Sequence, residues 1–332
     1  MRPEVYNQST FIILKAAYLY YIKDMPQNEI ADMLNISITT VSRLIKKAKD
    51  EKIVEFVIRD PYIKCIRLEE KLKQAFKLKD VIIAPNPVDN SMDNLKLESE
   101  NIKKLVALEG ARYIQRIIKE EDVLGIAWGS TMYNLISYLN PCQKVDAAFV
   151  TLHGSISCCE SELDVRTLVS RMAKAFYGRK YYLLTSGLMS NKSIADSIKK
   201  EKNIKRVFDM FDKITISISG IGSFYPTLNS ALSKREYLTE DELKNLQKKK
   251  VVGDIILRFF DANGKECDTD LKERTMSIDL ETFKKIKTKI TIASGKNKAV
   301  SVLSALRGGL IDVLIIDYVL GNSIMELTSN VN

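Results

Sequence analysis

Along the first fifty positions the apolar residues recur at helical spacing. In "STFIILKAAYLYYI" the residues Ile12, Ala16, Leu19 and Ile22 fall on one helical face. The pattern breaks at "KDM", and Pro26 suits the start of a second helix, in which Ile30, Ala31 and Leu34 face inward. "NIS" makes a tight turn, with Asn35 where a left-handed backbone is needed. Ser37 then caps a third helix over "ITTVSRLIKKAKDEK", pinned by Ile36, Val41 and Leu44. "KIVEFVIRD" alternates like a short strand, and Asp60-Pro61 marks a boundary.

Beyond that boundary the pattern changes. Ile63, Ile66, Leu68, Leu72, Ala75 and Phe76 predict a connecting helix, followed by a loop over "APNPVDNSMDN" and a long helix from about Leu95 to Lys119. Short apolar runs then alternate with helical patterns. The predicted strands are "VLGIAW" (123–128), "AAFVTLH" (147–153), "KYYLLT" (180–185), "KITISISGIG" (213–222), "TKITIASG" (288–295) and "VLIIDY" (313–318). This order predicts an α/β fold, a mostly parallel sheet covered by helices. Two domains follow, 1–60 and 61–332.

Charge sharpens the reading of the first domain. The chain carries 51 Lys and Arg against 42 Asp and Glu, a net charge of +9. Between Ser37 and Lys52 stand Arg43, Lys46, Lys47, Lys49 and Lys52, against Asp50 and Glu51. The outward face of the third helix carries Ser37, Thr39, Thr40, Ser42, Arg43, Lys46 and Lys47. Short hydroxyl side chains at a helix start reach base edges or phosphates, and an arginine forks onto a guanine. The lysines suit the DNA backbone. A helical hairpin with a solvated basic face is the plainer alternative. Apolar spacing, turn, cap and polar face together favour a DNA-binding helix-turn-helix.

In open parallel sheets, ligands bind at the carboxyl ends of strands. "GIAWGSTM" ends a strand at Trp128-Gly129 and opens a helix with Ser130 and Thr131, a place for an anion such as phosphate or for a plain helix cap. "VTLHGS" sets the only histidine, His153, beside Gly154 at another strand end. "SGIGS" brings Gly220 and Gly222, and "SGKNK" brings Gly295 and Lys298. His153 could hydrogen-bond a ligand, pack near the pocket or act as a base, with the first favoured. No residue cluster points to a metal or a cofactor. The five cysteines are scattered, without a CxxC pair, and fit the reducing cytoplasm. The adjacent Cys158 and Cys159 read as buried free thiols rather than a redox pair. No signal-peptide pattern or membrane span is evident.

Together these stretches resemble the SorC/DeoR-type family of sugar-responsive bacterial transcription regulators, over nearly the whole chain. "QNEIADMLNISITTVSRLIKKAKDEKIV" resembles the family's helix-turn-helix. "GIAWGSTM", "GIGSF", "VVGDIILRFFDANGKECDT" and "GKNKAVSVLSALRGGLIDVLIIDY" resemble its later signatures. The resemblance implies a doubly wound effector and oligomerisation domain similar to sugar-phosphate isomerases and deaminases. It also implies a tetramer and a phosphorylated sugar effector, and a pair of helix-turn-helix units would read a pseudo-palindromic operator. By motif, Gly129, Ser130 and Thr131 would hold the phosphate, Asp254 and Lys298 would contact sugar hydroxyls, and Asp164 would start a helix lining the pocket. Where some members carry a Schiff-base lysine, this chain has His153, which cannot form one. The family's final Thr-Asp-Glu is Ile316-Asp317-Tyr318 here. The alternative is a sugar-phosphate isomerase or deaminase with an appended DNA-binding segment. No acid/base pair with catalytic spacing supports it.

Overall fold

The computed structural model describes residues 8–56, 62–85, 95–140, 144–156 and 161–329. The chain divides into two compact units, Met1–Asp60 and Pro61–Asn332.

Among its described residues, the first unit holds three helices, α1 (Gln8–Tyr21), α2 (Gln27–Leu34) and α3 (Ile38–Asp50). Ala16 and Leu19 of α1 pack with Ile30, Ala31, Val41 and Ile45. Ile13 and Ala17 pack with Ala48. Full burial of an aliphatic side chain such as Ile30 or Val41 contributes about 1.5–3 kcal/mol. Asn35 adopts φ 52° and ψ 48°, the left-handed turn expected between α2 and α3. Ser37 caps α3 by accepting from the Thr40 amide at 3.2 Å.

The buried face of α1 differs from expectation. Ile13 and Ala17 are inside, while Ile12 and Ile22 are 40% and 67% exposed. In an almost uniformly apolar helix the period alone does not say which side finds the core; the positions of α2 and α3 decide it. The strand expected over "KIVEFVIRD" does not form at residues 53–56, and the rest of it lies outside the described residues.

Among its described residues, the second unit begins with α4 (Tyr62–Phe76) and holds ten strands: β1 (Asp80–Ala84), β2 (Val123–Ile126), β3 (Ala148–Thr151), β4 (Arg179–Tyr181), β5 (Ile216–Ser219), β6 (Gly222–Ser223), β7 (Gly253–Ile255), β8 (Arg258–Phe260), β9 (Thr288–Ala293) and β10 (Val313–Asp317). Seven form one parallel sheet in the order β1-β10-β9-β5-β2-β3-β4. One face, with Ile126, Ile218 and Ile292, packs on α5 (Leu95–Ile117), α6 (Ser130–Ser137) and α7 (Val165–Phe176). The other, with Ala127, Leu152 and Ala293, packs on α4 and the helices Ala299–Arg307 and Tyr318–Ser329. The four successive apolar residues of β10, Val313 to Ile316, follow from burial on both faces.

Strand β1 was not foreseen: "DVIIA" follows a helix without a turn signal and reads as its continuation. Glu69 on α4 accepts from the Ile83 amide at 2.8 Å, occupying part of this sheet edge. "KYYLLT" is strand only at Arg179–Tyr181. "KITISISGIG" is divided: β5 stops at Ser219, and Gly222–Ser223 joins β7 and β8 in a small antiparallel sheet. Among the described residues, no helix is long and apolar enough to cross a membrane.

Candidate nucleic-acid face and candidate ligand site

On the first unit, Ser37, Thr39, Thr40, Ser42, Arg43, Lys46 and Lys47 are all exposed along α3. The Ser37 hydroxyl lies 2.8 Å from both the Thr39 and the Thr40 hydroxyl, so the helix start carries a small hydroxyl cluster. Lys47 is paired with Glu51 at 3.4 Å across one turn. Ile38, at the first turn of α3, is 53% exposed and was not singled out by the sequence reading. An apolar side chain there fits a thymine methyl.

On the second unit, the carboxyl ends of β2, β5 and β9, together with β6 and β7, bring most of the expected residues together. Gly129 precedes α6 with φ 108° and ψ 172°, a conformation essentially reserved for glycine. A Cβ placed there would meet nothing within 4 Å. No side chain caps the helix, and Ser130 and Thr131 stand at its first turn, a set of amides and hydroxyls that suits an anion. Thr131 lies beside Gly220, with its Oγ1 3.9 Å from where a Gly220 Cβ would stand. Gly222 pairs with Asp254 across β6 and β7.

Asp254 is buried and accepts from the Ser230 hydroxyl at 2.6 Å. Burial pushes its carboxyl up to about 6, against the lowering effects of Ser230 and Lys298. Lys298 ends the short turn Lys296–Lys298 and is the N-cap of the next helix, Ala299–Arg307, as expected. Its ammonium donates to the Ile221 carbonyl. Burial pulls its pKa down to about 8, and Asp254 opposes that shift. The residue keeps partial exposure, but its charged end sits among protein atoms. A carboxylate and an ammonium held this way suit recognition of vicinal hydroxyls.

Asp317, met in the sequence only as a departure from a motif, is buried. It accepts from the Gly295 amide at 2.7 Å and the Leu320 amide at 3.0 Å, fixing the loop that carries Lys298. Ser230 was missed because it lies in irregular chain, 24 positions from its partner, where no spacing rule applies.

The end of β3 is different. His153 is fully buried. Its Nε2 accepts from the Trp128 amide at 3.1 Å, and its Nδ1 donates to the Gly154 carbonyl at 2.8 Å. Burial drives its pKa down to about 4, with Gly154 and Asp164 opposing. The expectation that His153 hydrogen-bonds a ligand is corrected: both ring nitrogens are taken by backbone. The ring holds the turn that leads to Gly129. A Cβ on Gly154 would come within 2.5 Å of the Thr185 carbonyl, so this glycine serves close packing.

Asp164 caps α7, accepting from the Arg166 amide and Nε, each at 3.0 Å. The preceding Leu163 carbonyl accepts from the Gly129 amide at 3.2 Å, which ties the start of α7 to that of α6. An open depression of about 820 Å³ on this side is lined by Ser155, Asp164, Arg166, Thr167, Tyr182 and Thr185 among others. Another, of about 420 Å³, is lined by residues such as Asn191, Glu242, Thr269 and Arg274 and includes none of the strand-end residues above. Trp128 stacks edge-on against Tyr237 at 5.6 Å. Among the described residues, no group of three or more His, Cys, Asp or Glu could hold a metal ion. Cys158 and Cys159 lie outside the described residues.

Residues 60–326 match the family model of the Sugar-bind sugar-binding domain, and residues 13–50 match that of sigma-70 region 4. The chain is 31% identical over 306 residues to the deoxyribonucleoside regulator of Bacillus subtilis (strain 168), covering 92% of this chain and 94% of that protein. It is equally similar, at 31% and with the same coverage, to the sorbitol operon regulator of Klebsiella pneumoniae. The crystal structure of the full-length sorbitol operon regulator SorC from Klebsiella pneumoniae superposes with a TM-score of 0.73 at 29% identity, covering 96% of this chain and all of that one. A transcriptional regulator from Streptococcus pneumoniae TIGR4 gives 0.71 at 29% identity, over 81% of this chain and 99% of that one. These relatives are regulators, not enzymes. With a helix-turn-helix ahead of a sugar-binding α/β unit, the chain belongs to the SorC/DeoR-type family of sugar-binding transcriptional regulators.

Proposed function

We propose that the chain is a homo-oligomeric regulator, a tetramer, that binds a pseudo-palindromic operator through α3. A phosphorylated sugar bound at the strand ends of the larger unit changes its operator affinity. The observation that carries the effector reading is the uncapped start of α6 behind Gly129, open to solvent, together with buried Asp254 and the partly exposed Lys298, whose ammonium sits among protein atoms. The helix start supplies amides and hydroxyls for a phosphate. Asp254 accepts from, and Lys298 donates to, the sugar hydroxyls. The effector acts only to the extent that it binds one state of the protein better than the other.

Thermal-shift screening of sugar phosphates beside their unphosphorylated counterparts tests the ligand class, since a ligand of the folded state raises the apparent Tm. A sugar phosphate that raises Tm where its free sugar does not supports the reading; equal shifts from both remove the phosphate from it.

A further inference from the structure

The cavity of about 420 Å³ lies between the helix Glu240–Lys248, the short helix Asp270–Arg274 and the start of the helix Lys192–Lys199. Its volume falls near the lower end of the roughly 300–1,000 Å³ typical of small-molecule sites. Leu246 and Leu271, both buried, give it an apolar floor. Around them stand the Asn191 and Asn245 amides and the Ser190 and Thr269 hydroxyls.

The charges on the walls are engaged with one another. Arg274 is bonded to Glu242 and donates to the Met189 carbonyl at 2.6 Å. Lys192 pairs with Glu273 at 3.0 Å. Asp270 adds one more negative charge. An anion such as phosphate therefore meets a lining in which the carboxylates outnumber the cations and both cations are already held. The carboxylates do not form a metal site among the described residues. What the cavity offers is uncharged: amides and hydroxyls that both donate and accept, over an apolar floor. That set suits a molecule with several hydroxyls on one side and C–H groups on the other.

We propose that this cavity is a second ligand site, for a neutral polyhydroxyl molecule the size of a free monosaccharide. It contains none of the strand-end residues, and it does not rest on the sugar-phosphate reading of those residues. A short stretch of chain joins the two places. Arg274 in the cavity wall is followed by Thr275, which bridges Leu188, and by Met276, whose carbonyl accepts from the Gly154 amide at 2.8 Å. Ser277 then bridges His153, whose ring accepts from the Trp128 amide beside Gly129. A ligand in the cavity thus touches the segment on which the strand-end turn rests.

Titration calorimetry of the full-length chain with ribose, glucose and mannitol, and separately with inorganic phosphate, tests the site. At least one of the three polyhydroxyl probes should bind with a dissociation constant of about 1 mM or below. Asn245→Trp, which fills the cavity, should weaken that binding roughly tenfold or more. Asn245→Leu keeps about the same size without the amide and should weaken it roughly fivefold; it keeps the test decisive if the tryptophan variant does not fold. Lys298→Ala should bind the same probe as wild type does. Absence of binding by all three probes overturns the proposal, and so does wild-type affinity in both Asn245 variants. A loss in Lys298→Ala places the probe at the strand ends and overturns it as well. Phosphate binding that is lost in the Asn245 variants assigns the cavity to an anion and overturns the ligand class. A strand-end site that takes no sugar phosphate leaves each of these outcomes as it stands.

Discussion

Two neighbouring strand ends of the same sheet, β2 and β3, each finish beside a glycine, and the two glycines do opposite things. At the end of β2, Gly129 stands in open space in a backbone conformation that other residues avoid. At the end of β3, Gly154 is wedged against the carbonyls of Thr185 and Ser186, and the histidine before it turns its ring into the protein. The open end has room for a ligand, the sugar phosphate proposed above; the closed end packs against the open one. His153 is the link, since it accepts from the amide of Trp128, one residue before Gly129.

The largest expected effect falls on the closed end. Gly154→Ala forces a methyl into backbone that cannot retreat and should destabilise the protein by about 3 kcal/mol. Gly129→Ala meets no atoms and should cost about 1 kcal/mol of backbone strain while abolishing the effector response. Urea unfolding of both variants checks the order; a Gly129 variant as unstable as the Gly154 variant would remove the contrast.

Acid sharpens the comparison further. His153 is neutral when folded, with its pKa pushed from 6.5 to about 4. Between these values the unfolded chain binds a proton that the folded chain refuses. Stability therefore falls as pH drops through that window, by roughly 3 kcal/mol in all. Asp254 works the other way, since its folded pKa of about 6 lies above its ordinary 3.8; its contribution fades as pH rises through that range. Because His153 is the only histidine, His153→Gln isolates its share. The variant should lose less stability than wild type between about pH 7 and about pH 5. Parallel losses would contradict a buried neutral ring.

At the open end the effects are smaller in stability and larger in response. Thr131→Val keeps the shape of the helix start but removes a hydroxyl. It should raise the effector concentration needed for half response by about tenfold, a loss of roughly 1.4 kcal/mol, as read by Tm against ligand concentration. On the first unit, Arg43→Ala should cost about 1–3 kcal/mol of operator affinity if it reads a base. Lys46→Ala should weaken all sequences alike and lower the salt slope by about one. Filter binding at several salt concentrations separates the two.

The helix-turn-helix was legible because its signals are local: a small residue at a crossing, an αL-tolerant Asn35, a cap at Ser37. The parallel sheet was legible through its apolar runs, except β1, which follows a helix with no punctuation. The open strand end and helix start at "WGST" were legible because a glycine, two hydroxyls and a helix start stand side by side in sequence. What sequence did not carry was direction. It could not show that the His153 ring points to the Trp128 amide, that Gly154 packs rather than opens, or that Ile13 and not Ile12 enters the core. Each depends on a neighbour far away in the chain: Trp128 and Thr185 in the first two cases, α2 and α3 in the last.

Retardation of the selected operator duplex, titrated with sugar phosphates and their free sugars, for wild type and Lys298→Ala, tests the central claim most directly. The claim predicts that one sugar phosphate shifts wild-type operator affinity roughly tenfold or more while its free sugar does not. It also predicts that Lys298→Ala binds the duplex as wild type does but no longer responds. A Lys298→Ala protein with the wild-type dose-response would contradict it.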